Sequence, residues 1–173
     1  MFIQGKSIIL LLTICKNAYK SIQIKDGQSN FGYTEEEIKN IFLRPRSTTL
    51  IGKHREFQYI LLHGVLYTKE HLSRFGFVGN NLCSYCNQET ETYKHVFLQC
   101  PIIKDIWKEM ILYYDLTEIQ NMEWADIFVG LSGSSVRIKF VNSLIILLKY
   151  VIFKSRNTGI LPSFNPNPIQ GRI

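Results

Sequence analysis

Residues 83–100 read CSYCNQETETYKHVFLQC and place three cysteines and one histidine in the spacing C-x2-C-x8-H-x4-C. Thiolate and imidazole are donors that Zn²⁺ prefers, at about 2.0–2.3 Å, and four of them complete its tetrahedral shell. Two cysteines separated by two residues can bind one ion from the same turn, and the second pair closes the shell from the following segment. The spacing therefore predicts a closed structural zinc site formed by Cys83, Cys86, His95 and Cys100.

His95 and Cys100 can bind the same ion only if the helix between them is interrupted. Thr92 is placed to cap a short helix over 93–99, with His95 in its first turn. In one regular helix His95 and Cys100 would diverge by about 140°, because each residue advances roughly 100°. We therefore expect the helix to end before Cys100. Pro101 favours that end, since it disfavours the α conformation at the preceding residue and suits the first position of a new helix, whose N-terminus would favour a thiolate.

Two other interpretations of the cysteines remain open. Buried free cysteines are common small hydrophobes, and a CxxC pair can be a redox dithiol. The redox interpretation requires a strand before the pair and a helix directly after it, whereas Asn80 and Asn81 precede the pair and a polar loop over 87–91 follows it. Four cysteines, with Cys15 left over, are too few for a disulfide scaffold. A reducing intracellular compartment, nucleus or cytoplasm, is expected.

The longer segment from Arg55 to Trp107 adds further features. It contains the aromatic and aliphatic run FQYILLHG, the threonine-led TKEHL, the CxxC pair, and a glutamate-rich run that leads into HVFLQCP and then a tryptophan. With these features the chain resembles the zinc-binding region that follows the polymerase domain in non-LTR, LINE-type retrotransposon reverse transcriptases, over roughly residues 49–157. The resemblance implies binding of element RNA or target DNA during target-primed reverse transcription, with the four residues named above as metal ligands.

The predicted fold is mainly α: a small helical domain built around the CCHC zinc-binding turn, with a long C-terminal helix. At 173 residues with 46% apolar side chains, the chain can fill one compact core and still carry a flank. The predicted divisions are an N-terminal helical flank over 1–48, the reverse-transcriptase-type zinc-binding domain over 49–131, a long basic-ended helix over 132–157, and an unstructured tail over 158–173.

Local signals predict the individual helices. Thr34 begins a helix with a capping box, and Pro45 is expected to end it. Thr68 caps a short helix that is expected to point Phe75 inward. Trp107 is predicted to anchor the next helix in the core against the zinc module.

The N-terminal apolar run from Ile8 to Ile14 superficially resembles a signal peptide. It is short, is followed at once by Lys16 and lacks a small-residue cleavage site. It is also too short to cross a bilayer. A buried helix over 7–24 is predicted instead, and no membrane partner is expected.

The net charge of +6 is unevenly distributed, because residues 127–173 contain six basic side chains and no acidic one. Such a block attracts polyanions through counterion release, although an ordinary solvated basic face explains it equally well. The candidate nucleic-acid-binding residues are Arg74, Lys94, Arg137 and Lys139, together with the basic C-terminal flank.

No paired aspartates of a polymerase, glycine-rich phosphate loop or Ser/His/Asp arrangement stands out, so neither enzymatic activity nor a small-molecule substrate is predicted.

Two non-enzymatic functions from different classes are therefore considered. The first hypothesis is a zinc-stabilised module that binds RNA or DNA, in which Tyr85 could stack a base. The second is a protein-interaction or scaffold domain, an orphan retrotransposon fragment with purely structural zinc. The last helix then docks on a reverse transcriptase polymerase domain, and charged substitutions at Leu144 or Leu148 of this docking face are expected to relieve self-association of the isolated chain. In either function Tyr85 could instead shield the metal from water.

Overall fold

The computed structural model describes residues 33–121 and 123–159, which fall into two compact units that divide between Leu66 and Tyr67. The described residues contain helices and no β-strand, apart from an isolated antiparallel bridge between Leu82 and Thr90. The mainly α fold is therefore confirmed. The predicted helix over 7–24, Cys15 and the tail from residue 160 onward lie outside the described residues, and the domain boundaries proposed after residues 48 and 131 stay predictions.

The first unit contains α1 (Glu35–Thr48) and α2 (Gly52–Leu62), which pack against each other. The predicted capping box is confirmed at the start of α1. The Thr34 hydroxyl accepts the backbone N–H of Glu37 at 3.3 Å, and the Glu37 carboxylate accepts the N–H of Thr34 at 2.7 Å. Two otherwise unsatisfied donors at the helix N-terminus are thereby paired.

The expectation that Pro45 ends α1 is wrong, because the helix continues past it to Thr48. Proline removes one backbone donor and so one helical hydrogen bond. The last turn nevertheless closes, since Thr49 N–H donates to the Pro45 carbonyl at 3.2 Å and the Thr48 hydroxyl donates to the Arg44 carbonyl at 2.7 Å. These terminal bonds keep one further turn helical after the proline.

The second unit is organised around a single π-helical turn over His95–Gln99. Helix α4 (Pro101–Tyr114), helix α5 (Trp124–Val129) and helix α6 (Val136–Thr158) each contact this turn. A short helix α3 (Lys69–Arg74) precedes the turn, and a 3₁₀ turn at Thr117–Ile119 follows α4.

Trp107 on α4 has the core position that the sequence predicts. It is buried, and its indole Nε1–H donates to the carbonyl of Phe97 in the π-helical turn at 2.8 Å. Both the apolar ring and the polar N–H are therefore satisfied inside the core. The turn and α4 are fixed to each other at this point.

Phe75 does not point inward as expected, because it is 67% exposed. Helix α3 ends at Arg74, and Gly76 takes a positive φ of 74° just after it. The chain reverses at the glycine, so the helical periodicity on which the inward direction depended does not extend to Phe75.

Helix α6 is the long C-terminal helix that the sequence predicts, capped by Ser135, whose hydroxyl accepts the Ile138 N–H at 3.2 Å. Leu144 and Leu148, which were assigned to a docking face, are buried in the core, so this assignment is wrong. The helix is apolar around most of its circumference, and sequence alone cannot tell which apolar side faces outward. No helix among the described residues combines the length and the apolar character needed to cross a bilayer.

Two polar side chains of α6 hold the C-terminal end of α5. Asn142 accepts the Leu131 N–H at 2.7 Å and donates to the Leu131 carbonyl at 2.9 Å. The Lys149 ammonium is fully buried and donates to the carbonyls of Ile127 at 2.6 Å and Phe128 at 3.3 Å. These bonds satisfy carbonyls that a helix end leaves without internal partners. Burial holds the pKa of Lys149 well below its ordinary value.

Candidate metal centre

The structure brings together all four residues that the sequence predicts as metal ligands. The ligand atoms of Cys83, Cys86, His95 and Cys100 all lie within 4.8 Å of one another. The two sulfurs of Cys83 and Cys100 are 3.9 Å apart, and the Cys86 sulfur is 3.3 Å from His95 Nε2. Ideal tetrahedral bonds to Zn²⁺ would set sulfurs about 3.8 Å apart and a sulfur and a nitrogen about 3.5 Å apart. These two distances match a tetrahedral ion, and the 4.8 Å limit for the whole set is within about 1 Å of the ideal spacing, so the donor set suits Zn²⁺.

The π-helical turn brings His95 and Cys100 together, although a regular α-helix would direct them about 140° apart. Thr92 caps the segment as predicted, since its hydroxyl accepts the His95 N–H at 3.0 Å. The Cys100 N–H then donates to the His95 carbonyl at 2.8 Å, which is the i→i+5 bond of a π-turn. This wider turn brings the two ligands to the same side of the segment. The helical conformation ends before Cys100, as expected, because that residue has ψ 128°.

Backbone N–H groups surround the three sulfurs in a repeated pattern. Each sulfur accepts hydrogen bonds from the amides two and three residues later in the chain: Tyr85 and Cys86 for Cys83, Gln88 and Glu89 for Cys86, and Ile102 and Ile103 for Cys100. Such donors stabilise the thiolate, which is the form that binds a metal.

Local backbone features at Asn87 and Pro101 place these amides next to the sulfurs of Cys86 and Cys100. Asn87 has a left-handed backbone with φ 53°, a conformation that asparagine tolerates better than most residues, and it turns the chain just after Cys86. Pro101 occupies the first position of α4. Proline has no N–H, so the amides that reach Cys100 are those of the next two residues.

The three thiols differ in acidity. Burial raises the pKa of Cys83 to about 12 and also raises the pKa of Cys100 above its ordinary value. Burial acts in the same direction on Cys86, but the amides of Gln88 and Glu89 and the hydrogen bond to His95 outweigh it and lower the pKa to about 6. A metal ion must therefore displace protons from Cys83 and Cys100, so metal affinity decreases as pH falls.

Glu89 orients the imidazole of His95. Its carboxylate lies 3.0 Å from His95 Nδ1, on the side of the ring opposite Nε2. A carboxylate at this distance favours the tautomer with the proton on Nδ1, which leaves the Nε2 lone pair directed toward the three sulfurs. Sequence analysis did not assign this role, although the glutamate-rich run before HVF contained the signal.

Glu91 is a fully buried carboxylate that fixes the cysteine turn from behind. It accepts the backbone N–H of Lys69 at 2.8 Å, and from Ser84 the N–H at 2.9 Å and the hydroxyl at 2.6 Å. The guanidinium of Arg156 pairs with it at 2.7 Å and donates also to the Tyr67 carbonyl at 3.0 Å. Burial opposes ionisation, but these donors hold the pKa of Glu91 below its ordinary value.

Through this carboxylate, the start of α3, the turn between the first two cysteines and the end of α6 meet at one group. Sequence analysis counted Arg156 only as part of the basic end of the last helix. The pair was missed because its members are separated by 65 positions in the chain.

Tyr85, between the first two cysteines, attaches the turn to α6. Its ring is half-buried and its hydroxyl donates to the backbone carbonyl of Ile152. Burial raises the pKa of Tyr85 to about 12. This contact is what the shielding interpretation of Tyr85 requires, because it holds the ring against protein next to the sulfurs.

The four candidate nucleic-acid-binding residues lie on different elements. Arg74, at the end of α3, is exposed and pairs with Glu70 at 2.5 Å. Lys94 is exposed beside the π-helical turn. Arg137 and Lys139 lie in the first turn of α6, where Arg137 pairs with Glu118 at 2.7 Å.

Three thiols and one imidazole on a helical scaffold define a small metal-binding module of the Cys₃His type. The chain matches the family described as zinc-binding in reverse transcriptase over residues 14–107, more than half of its length, and it belongs to that family. The match contains all four candidate ligands and ends at Trp107. No curated protein and no solved structure was found to match the chain.

Proposed function

We propose that this chain is a non-catalytic zinc-binding module of the LINE-type reverse transcriptase lineage, and that it binds RNA or DNA during retrotransposition inside the cell. The observation that carries the proposal is the convergence of four donor atoms within 4.8 Å in a chain of the zinc-binding reverse transcriptase family. Zn²⁺ is held by Cys83, Cys86, His95 and Cys100. Elemental analysis of the purified chain, with one zinc expected per molecule, tests the metal assignment.

A structural rather than catalytic role for zinc is supported by the donor set. Four protein donors fill a tetrahedral shell and leave no position for an activated water or a substrate. Cys83, His95 and Cys100 are buried, and amide donors surround each sulfur. The ion then stabilises the fold that presents the surrounding surface to a partner.

Binding to a polyanion is supported by the net charge of +6, although fewer cations are available than the sequence suggests. Lys149 is buried, and Arg137 and Arg156 are paired with carboxylates. Lys94 and Lys154 are exposed and Lys139 is half-buried. These three ammonium groups are the candidates for direct phosphate contacts.

Salt dependence tests this assignment. Affinity of the zinc-loaded chain for RNA or DNA is expected to fall as salt rises, because phosphate contacts release counterions. Lys94→Ala and Lys139→Ala should each lower the slope of log affinity against log salt by about 0.7–0.9, the contribution of one phosphate contact. Filter binding across a salt series measures this slope.

Lys108→Ala is the matched control for both variants. It removes an exposed ammonium that already pairs with Asp105 on α4, at 3.0 Å, and the slope should not change. The nucleic-acid assignment is wrong if the wild-type chain has no affinity at low salt, or an affinity that salt does not weaken.

A second candidate function, a protein-interaction domain that docks on a polymerase domain, is favoured by one feature of α6. Val136, Phe140 and Leu147 are exposed and recur at helical spacing, so they form one narrow apolar stripe on a helix that is otherwise largely buried. Exposed apolar residues on one face are typical of a contact surface.

Self-association of the isolated chain would follow from this stripe. The double variant Val136→Lys, Leu147→Lys is expected to reduce self-association and to leave the melting temperature nearly unchanged. Leu144→Asp, on the buried side of α6, should instead destabilise the fold by at least about 3 kcal/mol. Sedimentation velocity and thermal unfolding separate the two effects, and a wild-type chain that is monodisperse and unaffected by the lysines contradicts this function.

A further inference from the structure

Two phenylalanines directly after α3 remain exposed. Phe75 is 67% exposed and Phe77 is 75% exposed, the highest values among the aromatic side chains of residues 33–121 and 123–159. An aromatic ring buries about 150–250 Å² when it finds a partner, so leaving two rings in water forgoes a large stabilisation. Neither ring is needed for the core around the metal site. Their position is therefore better explained by a ligand than by folding.

The backbone that carries the two rings is fixed by hydrogen bonds. After α3, the Gly76 N–H donates to the Ser73 carbonyl at 3.0 Å and the Phe77 N–H donates to the Leu72 carbonyl at 2.9 Å. Together with the positive φ of Gly76, these bonds form a Schellman motif. In that motif the residue after the glycine often packs its apolar side chain back on the helix, whereas Phe77 points into solvent. The rings thus extend from an ordered helix end.

One cationic group adjoins the two phenylalanines in the chain, and a second lies on a segment that contacts α3. Arg74 directly precedes Phe75 and is exposed, but its guanidinium is already paired with Glu70. The rings of His71 on α3 and Tyr93 are 5.3 Å apart, which brings α3 next to the segment that carries Lys94. Exposed aromatic rings beside basic side chains are the combination by which proteins hold single strands, since bases stack on the rings and phosphates meet the cations.

The size of the pair favours a nucleobase over a protein. Two rings offer at most about 500 Å², whereas a stable protein interface needs about 800 Å² from each partner. A stacked base needs only the face of one ring, so two rings are enough to bind two bases. The bases of a duplex already stack on each other, so the platform requires unpaired bases. The ammonium group of Lys94 also suits a phosphate backbone better than an apolar protein surface.

We propose that Phe75 and Phe77 form a stacking platform for unpaired bases of single-stranded RNA or DNA. The proposal rests on the nucleic-acid binding proposed above and adds which form of nucleic acid is bound. The rings provide sequence-independent stacking, and the basic side chains provide the salt-dependent part of the affinity.

The test compares the zinc-loaded full chain with the double variant Phe75→Ala, Phe77→Ala on a short oligothymidylate, an oligouridylate and a duplex of equal length. Affinity for the two single strands is expected to fall about ten- to a hundredfold, as loss of one or two stacked bases predicts. The salt slope should stay unchanged because no phosphate contact is removed. Affinity for the duplex should not change.

Three further variants make the test specific. Phe75→Tyr with Phe77→Tyr keeps both ring faces and should retain wild-type affinity, whereas Phe75→Leu with Phe77→Leu keeps the apolar character and should behave like the alanine variant. Leu112→Ala removes an exposed apolar side chain from α4 and should have no effect. All variants change exposed positions, so zinc content and melting temperature should match the wild type.

Each alternative outcome has a separate meaning. Salt-dependent wild-type binding that the alanine variant leaves unchanged overturns the stacking platform while the proposed function stands. Leucine variants with wild-type affinity overturn it too, because an apolar contact would then suffice. Loss of self-association without loss of affinity would assign the rings to a protein contact. If the wild type binds none of the nucleic acids at low salt, the platform and the proposed function fail together.

Discussion

The substitution Cys86→Ala, or removal of zinc by a strong chelator, is expected to loosen residues 80–107 more than any other described part of the chain. Metal binding in small modules supplies on the order of 10–16 kcal/mol and is coupled to folding. The cysteine turn has no regular pairing apart from the isolated bridge between Leu82 and Thr90, so it depends on the metal together with the side-chain contacts of Glu91 and Tyr85. Amide hydrogen exchange, compared between zinc-loaded and zinc-free chains, measures the change by segment.

The structure also predicts which helices lose hydrogen-exchange protection after the zinc site itself. The π-helical turn that carries His95 contacts α4, α5 and α6, so protection should decrease next in the parts of these helices that touch it. Cys15→Ala is the matched control, because it removes a thiol that is not among the four candidate ligands. Equal effects of the Cys86 and Cys15 substitutions would remove the basis for the metal assignment.

Glu91→Ala should produce the second large effect, a loss of about 3–5 kcal/mol in the free energy of unfolding. The substitution leaves the largely buried guanidinium of Arg156 without its carboxylate and removes the acceptor for Lys69 and Ser84. Denaturant unfolding of the zinc-loaded chain measures the loss. Glu70→Ala is the matched control: it breaks the pair with the exposed Arg74, and it should cost no more than about 1 kcal/mol.

The contribution of Glu91 to stability depends on pH with a defined sign. Because the folded state lowers the pKa of Glu91, its carboxylate contributes stability above its ordinary pKa, and this contribution is lost as pH falls through the lowered value. The stability difference between wild type and Glu91→Gln should therefore be largest near neutral pH and shrink in acid. A Glu91→Ala loss no larger than that of Glu70→Ala, or a difference that grows in acid, contradicts a buried ionised pair.

The sequence predicted those features that depend on residues close together in the chain. The Thr34 and Thr92 caps and the helix start at Pro101 rest on contacts within a few positions, and the four candidate ligands lie within one stretch of 18 residues. The capping residues act on the first turn, where their oxygens meet unpaired amides whatever the rest of the fold is. These predictions therefore did not need the tertiary structure.

The errors arose where packing decides between local options. A proline inside a helix is costly in general, but Pro45 lies near the end of α1, where terminal bonds compensate. The apolar run of α6 does not reveal that Leu144 is buried and Leu147 exposed, because that choice depends on tertiary packing. The π-turn was missed because regular periodicity cannot predict one widened turn.

The pairing of Glu91 with Arg156 has a consequence for where the folding unit ends. The segment that matches the zinc-binding family stops at Trp107, yet the counter-ion of its buried carboxylate comes from the last turn of α6. A fragment cut at the limit of the recognisable motif would keep every sulfur and the imidazole and still leave Glu91 uncompensated. The length of chain needed for a stable metal-binding domain is thus set by an arginine far downstream of the motif.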